Sequence, residues 1–154
     1  MIFYLFLFLF PLNLAFAEQL KEGEEWTLTK FPNQWDDVCE VTPDSKKILF
    51  TGEMETSKIA HKILEKEKPE SFYKRGFLFL SDVRKMPDLI TRFVAIPKMR
   101  SYSYPICLIK EGEIANDIPR EKGKLSLVYL RNGKIEKILF SNDPTKVVEF
   151  YNSP

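Results

Sequence analysis

The sequence predicts one α/β domain in three layers, a central mixed sheet of about four to six strands with helices on both faces. Three observations carry that expectation. Apolar runs of strand length recur at residues 47–51, 77–81, 105–110, 125–130 and 135–140. Segments of helical period separate the first three runs, which suits parallel strands joined by crossovers. An Asn132-Gly133 pair joins the last two, the strongest short hairpin signal in the chain.

In chain order, residues 1–17 come first. Every residue from Ile2 to Phe10 is apolar, Pro11 and Asn13 break the run, and Ala15-Phe16-Ala17 supplies the small-x-small pattern of a cleavage site. The expectation is a cleaved secretory signal peptide followed by a single domain over residues 18–154, exported to a periplasmic or secreted destination. A retained anchor is disfavoured, because a spanning helix needs about 20 apolar residues. The n-region has no Lys or Arg, a departure from the usual signal.

Residues 26–30 can form a first short strand, with Phe31-Pro32-Asn33 turning the chain away and a polar, turn-rich stretch following to Ser45. Residues 47–51 read as a buried strand. Residues 56–67 read as an amphipathic helix with Ile59, Ala60, Ile63 and Leu64 on one face and Lys58, His61, Lys62 and Glu65 on the other. After the strand at 77–81, Pro87 can open a second helix that carries Leu89, Ile90, Phe93 and Val94 inward. Pro105 starts the next strand. Asp143 as N-cap and Pro144 as first helical residue open a last helix that buries Val147, Val148 and Tyr151.

Composition excludes more than it selects. Twenty-three basic and 22 acidic residues leave a net charge of +1, so charge alone draws the protein to neither nucleic acid nor an anionic membrane. His61 is the only histidine, which removes any triad needing a second imidazole and makes zinc ligation unexpected. It sits on the polar helix face, where a solvated role is expected. The six glycines form no phosphate loop. No metal, cofactor or catalytic constellation is therefore expected. Cys39 and Cys107 permit one disulfide in an oxidising compartment, two unpaired buried thiols, or a reactive thiol; unpaired structural thiols are the leading expectation.

The element order, with a proline heading the strand after the second helix, resembles the thioredoxin fold. In thioredoxins a buried strand runs into a W-C-x-x-C-K motif at a helix start, and residues 47–64 can be laid on that segment without a gap. Lys58 then falls on the motif's lysine, while Met54 and Ser57 occupy the two cysteine positions. A thioether cannot form a disulfide and a serine hydroxyl is too weakly acidic to replace a thiolate, so dithiol exchange at that position is excluded. The resemblance also implies that Tyr104-Pro105 is a cis peptide bond beside the motif, its backbone open to an extended peptide. The turn-rich lead-in is similar to those of peroxiredoxin-like and other exported thioredoxin-fold proteins.

These readings converge on an exported, redox-inactive thioredoxin-like protein that binds a peptide or protein partner. Its groove would be formed by residues 52–57, with Glu53, Met54 and Ser57, against Tyr104 and Pro105. The competing expectation is a thiol-dependent oxidoreductase or peroxidase-like enzyme using Cys107, Cys39 or both.

Overall fold

A computed structural model describes residues 18–154, and the expected signal peptide at residues 1–17 lies outside the described residues. The chain enters through a two-stranded antiparallel hairpin, β1 (Lys30–Pro32) and β2 (Val38–Glu40). The main sheet has five strands in the order β5-β4-β3-β6-β7. β3 (Lys47–Thr51) lies at its centre, parallel to β4 (Phe77–Asp82) and antiparallel to β6 (Leu125–Arg131). β5 (Cys107–Ile109) continues the parallel side, and β7 (Lys134–Ser141) closes the antiparallel side. All five residues of β3 are buried, as a strand covered on both faces requires.

Two apolar clusters fill the two faces. Leu49, Phe79, Leu125 and Leu127 point to one side, where they meet Ala60 and Leu64 of α1 (Met54–Leu64), Phe72 of α2 (Pro69–Arg75), and Val147, Phe150 and Tyr151 of α5 (Pro144–Asn152). Ile48, Phe50, Leu80 and Val128 point to the other, under Trp26, Leu28, Phe31, Val41, Ala115 and Ile118. The helices gather on the first face. The second is roofed by the β1–β2 hairpin, the lead-in and a 3-10 turn at Ile114–Asp117, a redistribution of the helices expected on both sides. The lead-in also occupies the β7 edge, since Ile135 donates to the Glu24 carbonyl and Trp26 to that of Gly133.

Local chemistry accounts for the boundaries. The Asp143 carboxylate accepts from the Thr145 amide at 2.9 Å, and Pro144 follows as the first helical residue, as the sequence predicts. Val148 is 40 % exposed, however, and Phe150 takes the buried place expected of it. Asn132 and Gly133 both have positive φ, which the two-residue hairpin needs. α1 runs two residues further toward the N-terminus than the expected start at Thr56, and a separate helix, α2, follows it with Pro69 in its first turn. Gly76 closes α2 in the left-handed conformation and stands where a Cβ would lie 2.8 Å from the Asp44 carbonyl.

Residues 88–99 are helical but irregular: α3 (Asp88–Ile90), a π turn at Thr91–Ala95, and α4 (Ile96–Met99). Here the expectation is reversed. Leu89, Ile90, Phe93 and Val94 face outward, with Leu89 69 % and Phe93 74 % exposed, while Thr91, Ile96 and Met99 make the inward contacts. Leu89 and Ile90 are already exposed ahead of the π turn, so the inward stripe passes through Thr91 from the first turn of the segment and leaves the apolar residues beside it outside.

Candidate functional site

The parallel strands β3 and β4 end together, with Thr51 opposite Ser81, and α1 begins directly beyond β3. In open α/β sheets this edge is where ligands are received. Thr51 ties the strand to the helix: its hydroxyl lies 2.6 Å from that of Thr56, and both hydroxyls reach the Glu53 carbonyl. The Glu53 side chain leaves its own helix uncapped and accepts instead from the Gly123 amide at 2.8 Å, which joins the loop before β6 to the start of α1.

Between α1 and residues 88–99 runs a groove with a volume of about 740 Å³. Its floor and walls are mainly apolar, from Val83, Met86, Ile90, Val94, Met99 and Tyr102, with Met54 at one end. Glu53, Met54 and Ser57 line it, as do Lys58, Lys62, Lys85 and Lys98 around the rim. Met54 is 62 % exposed and has no partner that would hold it in a core.

His61 reaches into the same groove and is not the solvated residue expected. Its ring stacks on Tyr102 with centroids 4.4 Å apart and meets the edge of Phe79. Its Nδ1 lies 2.7 Å from the Tyr104 hydroxyl. Burial, reinforced by the nearby Lys98 ammonium, pushes the imidazole down to about 4, so it is neutral near pH 7. Burial likewise pushes the Tyr104 phenol up, so the pair is a neutral hydrogen bond between stacked rings.

The end of β4 carries a second cluster. Asp82 is enclosed by Arg84, whose Nε and Nη2 meet its two oxygens at 2.9 and 2.7 Å, and by Arg120, whose Nη1 approaches at 3.1 Å. Burial opposes ionisation of this carboxyl, but the hydrogen bonds from both guanidinium groups outweigh it and hold the acid below the usual carboxylate range. The arginines also donate to the Gly112, Ala115 and Ile118 carbonyls and to Asn116 Oδ1, and Arg120 lies over the Phe50 ring. The cluster pins the loop between β5 and β6 to the sheet, with most of the guanidinium donors engaged inside the protein.

Tyr104 and Pro105 do not join Glu53, Met54 and Ser57 in one groove. Pro105 precedes Cys107, the partner of Leu80, and so lies toward the start of the parallel strands, whereas α1 begins at their far end. No cis peptide bond occurs among the described residues, which corrects the expectation for Tyr104-Pro105. Nor is the flanking backbone open to a peptide. The buried Gln34 amide donates to the Tyr104 carbonyl at 2.8 Å and accepts from the Ile106 amide at 2.7 Å, so the pairing groups are already used. Tyr104 is fully buried and reaches the site from behind, through its hydroxyl to His61 and its ring stacked on those of His61 and Tyr102. Pro105 lines a smaller cavity of about 340 Å³ beside Asn33, Phe72 and Phe77.

That cavity also contains Cys39 and Cys107, which are joined as a disulfide with Cα atoms 5.7 Å apart. This corrects the leading expectation of two unpaired thiols. The bond ties β2 to the first residue of β5, on the sheet face away from α1, and leaves no free cysteine in the chain. Among the described residues no group of three His, Cys, Asp or Glu side chains is arranged to hold a metal ion.

Sequence reasoning missed Gln34, Arg84, Arg120 and the outward face of residues 88–99. The last left a trace. Leu89, Ile90, Phe93, Val94, Ala95 and Ile96 are more apolar residues than one stripe of so short a helix can bury.

No protein-family model and no curated protein matches the chain. Solved structures do. The thioredoxin domain of a thiol-disulfide oxidoreductase from Bacteroides vulgatus superposes with a TM-score of 0.52 at 17% identity, over 88% of this chain and 100% of that one. A peroxidoxin from Mycobacterium tuberculosis gives a TM-score of 0.52 at 13% identity, over 86% and 97% of the two chains. A thiol:disulfide interchange protein from a Bacteroides species gives 0.51 at 16%, over 87% and 92%. At such identities the likeness is one of fold, and it agrees with the central β3, the helix beyond it and the β6–β7 hairpin: the chain has a thioredoxin-like α/β fold.

Proposed function

We propose that this chain is an exported, redox-inactive thioredoxin-fold protein that binds a peptide or protein partner in the groove between α1 and residues 88–99. The groove's apolar floor, with Met54, Ile90 and Val94 exposed along it, carries the proposal. Exposed side chains of this size cost solvation unless a partner covers them, and contiguous apolar surface rimmed by charge is the mark of an interaction site. The partner's backbone finds no free edge at Pro105, so recognition rests on side chains in the groove and not on strand addition.

The redox assignment is supported by where sulfur is and is not. The position at the start of α1 is held by Met54 and Ser57, and the only two cysteines are bonded to each other on the opposite face. Export is supported by the apolar segment and Ala15-Phe16-Ala17 pattern of the sequence, and by a disulfide of the kind that persists outside the cytosol. No helix among the described residues is long and apolar enough to cross a membrane.

Two measurements test this reading on the purified full chain. Selection from a displayed peptide library should enrich binders whose affinity falls at least tenfold in Val94→Asp, a substitution at an exposed position that leaves the fold intact. Insulin reduction with dithiothreitol should run no faster than without the protein. Reductase or peroxidase activity abolished by Cys107→Ser would replace this reading with the thiol-enzyme alternative.

A further inference from the structure

We infer that the groove selects an acidic partner segment, a peptide whose apolar side chains enter the groove while Asp or Glu residues meet the rim. This rests on the reading of the groove as a peptide site and adds the chemistry of its occupant.

Four lysines line the rim: Lys58, Lys62, Lys85 and Lys98, all exposed. Lys58 is paired with Glu55 at 2.9 Å. Lys62, Lys85 and Lys98 form no ion pair among the described residues, and they stand on both walls, one on α1 and two on the segment that follows β4. The acids of the groove are mostly committed. Asp82 is enclosed by Arg84 and Arg120, and Glu53 accepts from the Gly123 amide, which leaves Glu65 as the uncommitted carboxylate. The rim is therefore positive in a chain whose net charge is only +1. The start of α1, opening into the same groove at Met54, adds its dipole with the same sign.

The form of the apolar surface favours a peptide over an acyl chain. Leu89 and Phe93 continue it outside the groove, on a face that a single buried hydrocarbon tail would leave uncovered. Side chains projecting in several directions from one backbone would cover both. A second copy docking through the same face would bring like charges together, which disfavours it.

The test measures fluorescence anisotropy with the full chain and four labelled probes. Three are peptides with one shared pattern of Leu, Ile and Phe, separated by Glu, by Ser or by Lys; the fourth is a long-chain fatty acid. The Glu peptide should bind about tenfold more tightly than the Ser peptide at low salt, and the Lys peptide more weakly than either. That preference should shrink severalfold in about 0.5 M salt. The triple variant Lys62→Glu, Lys85→Glu, Lys98→Glu should reverse it in favour of the Lys peptide. Equal binding of the three peptides, lost in Val94→Asp, would overturn the acidic preference and leave the peptide groove standing. Absence of peptide binding, binding indifferent to Val94→Asp, or binding of the fatty acid alone would overturn both.

Discussion

His61 shows how one side chain can be misread when its helix is considered without its neighbours. On a helical wheel it falls among Lys58, Lys62 and Glu65, yet Tyr102 and Tyr104 reach it from a different part of the chain and take it out of water. Its imidazole is pushed from the ordinary 6.5 down to about 4 by burial and by Lys98. Between those two values the unfolded chain binds the extra proton, so stability rises with pH across that window and falls as pH drops toward 4. Denaturant unfolding at pH 4.5 and 7.5 should show a loss on acidification to which His61 contributes on the order of 2 kcal/mol. In His61→Gln that part of the loss should disappear; an unchanged pH dependence would mean the ring is solvated. Lys47 is a second buried group invisible to patterning. Set in an apolar strand, it runs its ammonium to the Tyr151 and Ser153 carbonyls and so caps the end of α5, with burial pushing it down to about 8.

At the scale of elements, Gly76 carries the junction between α2 and β4. Its left-handed backbone ends the helix, and its carbonyl accepts from Lys46 at 2.8 Å, bringing the chain before β3 against it. An alanine there would face both the φ of 58° and backbone atoms of Asp44 and Lys46 at 2.8 and 3.1 Å. Gly76→Ala should therefore cost about 1–3 kcal/mol, read as a lower denaturation midpoint at unchanged slope. What the sequence revealed at this scale followed locality. β3, β4, β6, β7 and α5 were legible because apolar runs, Asn132-Gly133 and Asp143-Pro144 act through near neighbours. β1, β2 and α2 were obscured by their brevity, and residues 88–99 by Thr91, a polar residue that takes the inward place among exposed apolar neighbours. Of the candidate site, Glu53, Met54 and Ser57 were found from their place at a helix start. The opposite wall was assigned to Tyr104 and Pro105, because only the folded chain shows that Gln34 occupies that backbone.

At the scale of the molecule, the described residues divide between two faces of the sheet. Helices and the groove lie on one; the disulfide, the hairpin and the loop before β6 lie on the other. The Cys39–Cys107 bond closes a loop of 68 residues in sequence separation, and in the chain-entropy account such a cross-link destabilises the unfolded state by roughly 4 kcal/mol. For one domain of this size that is a large share of a net stability of about 5–15 kcal/mol. Reduction should lower the unfolding midpoint markedly, and Cys39→Ser with Cys107→Ser should reproduce the shift. Because the bond anchors β2 to β5 and touches neither α1 nor residues 88–99, affinity for a groove peptide should change less than threefold in the doubly substituted protein while it remains folded. Thermal melts and peptide titrations on the same samples separate the two quantities. A loss of binding parallel to the loss of stability would show that the hairpin face is coupled to the groove, and the disulfide would then bear on the proposed binding as well as on the fold.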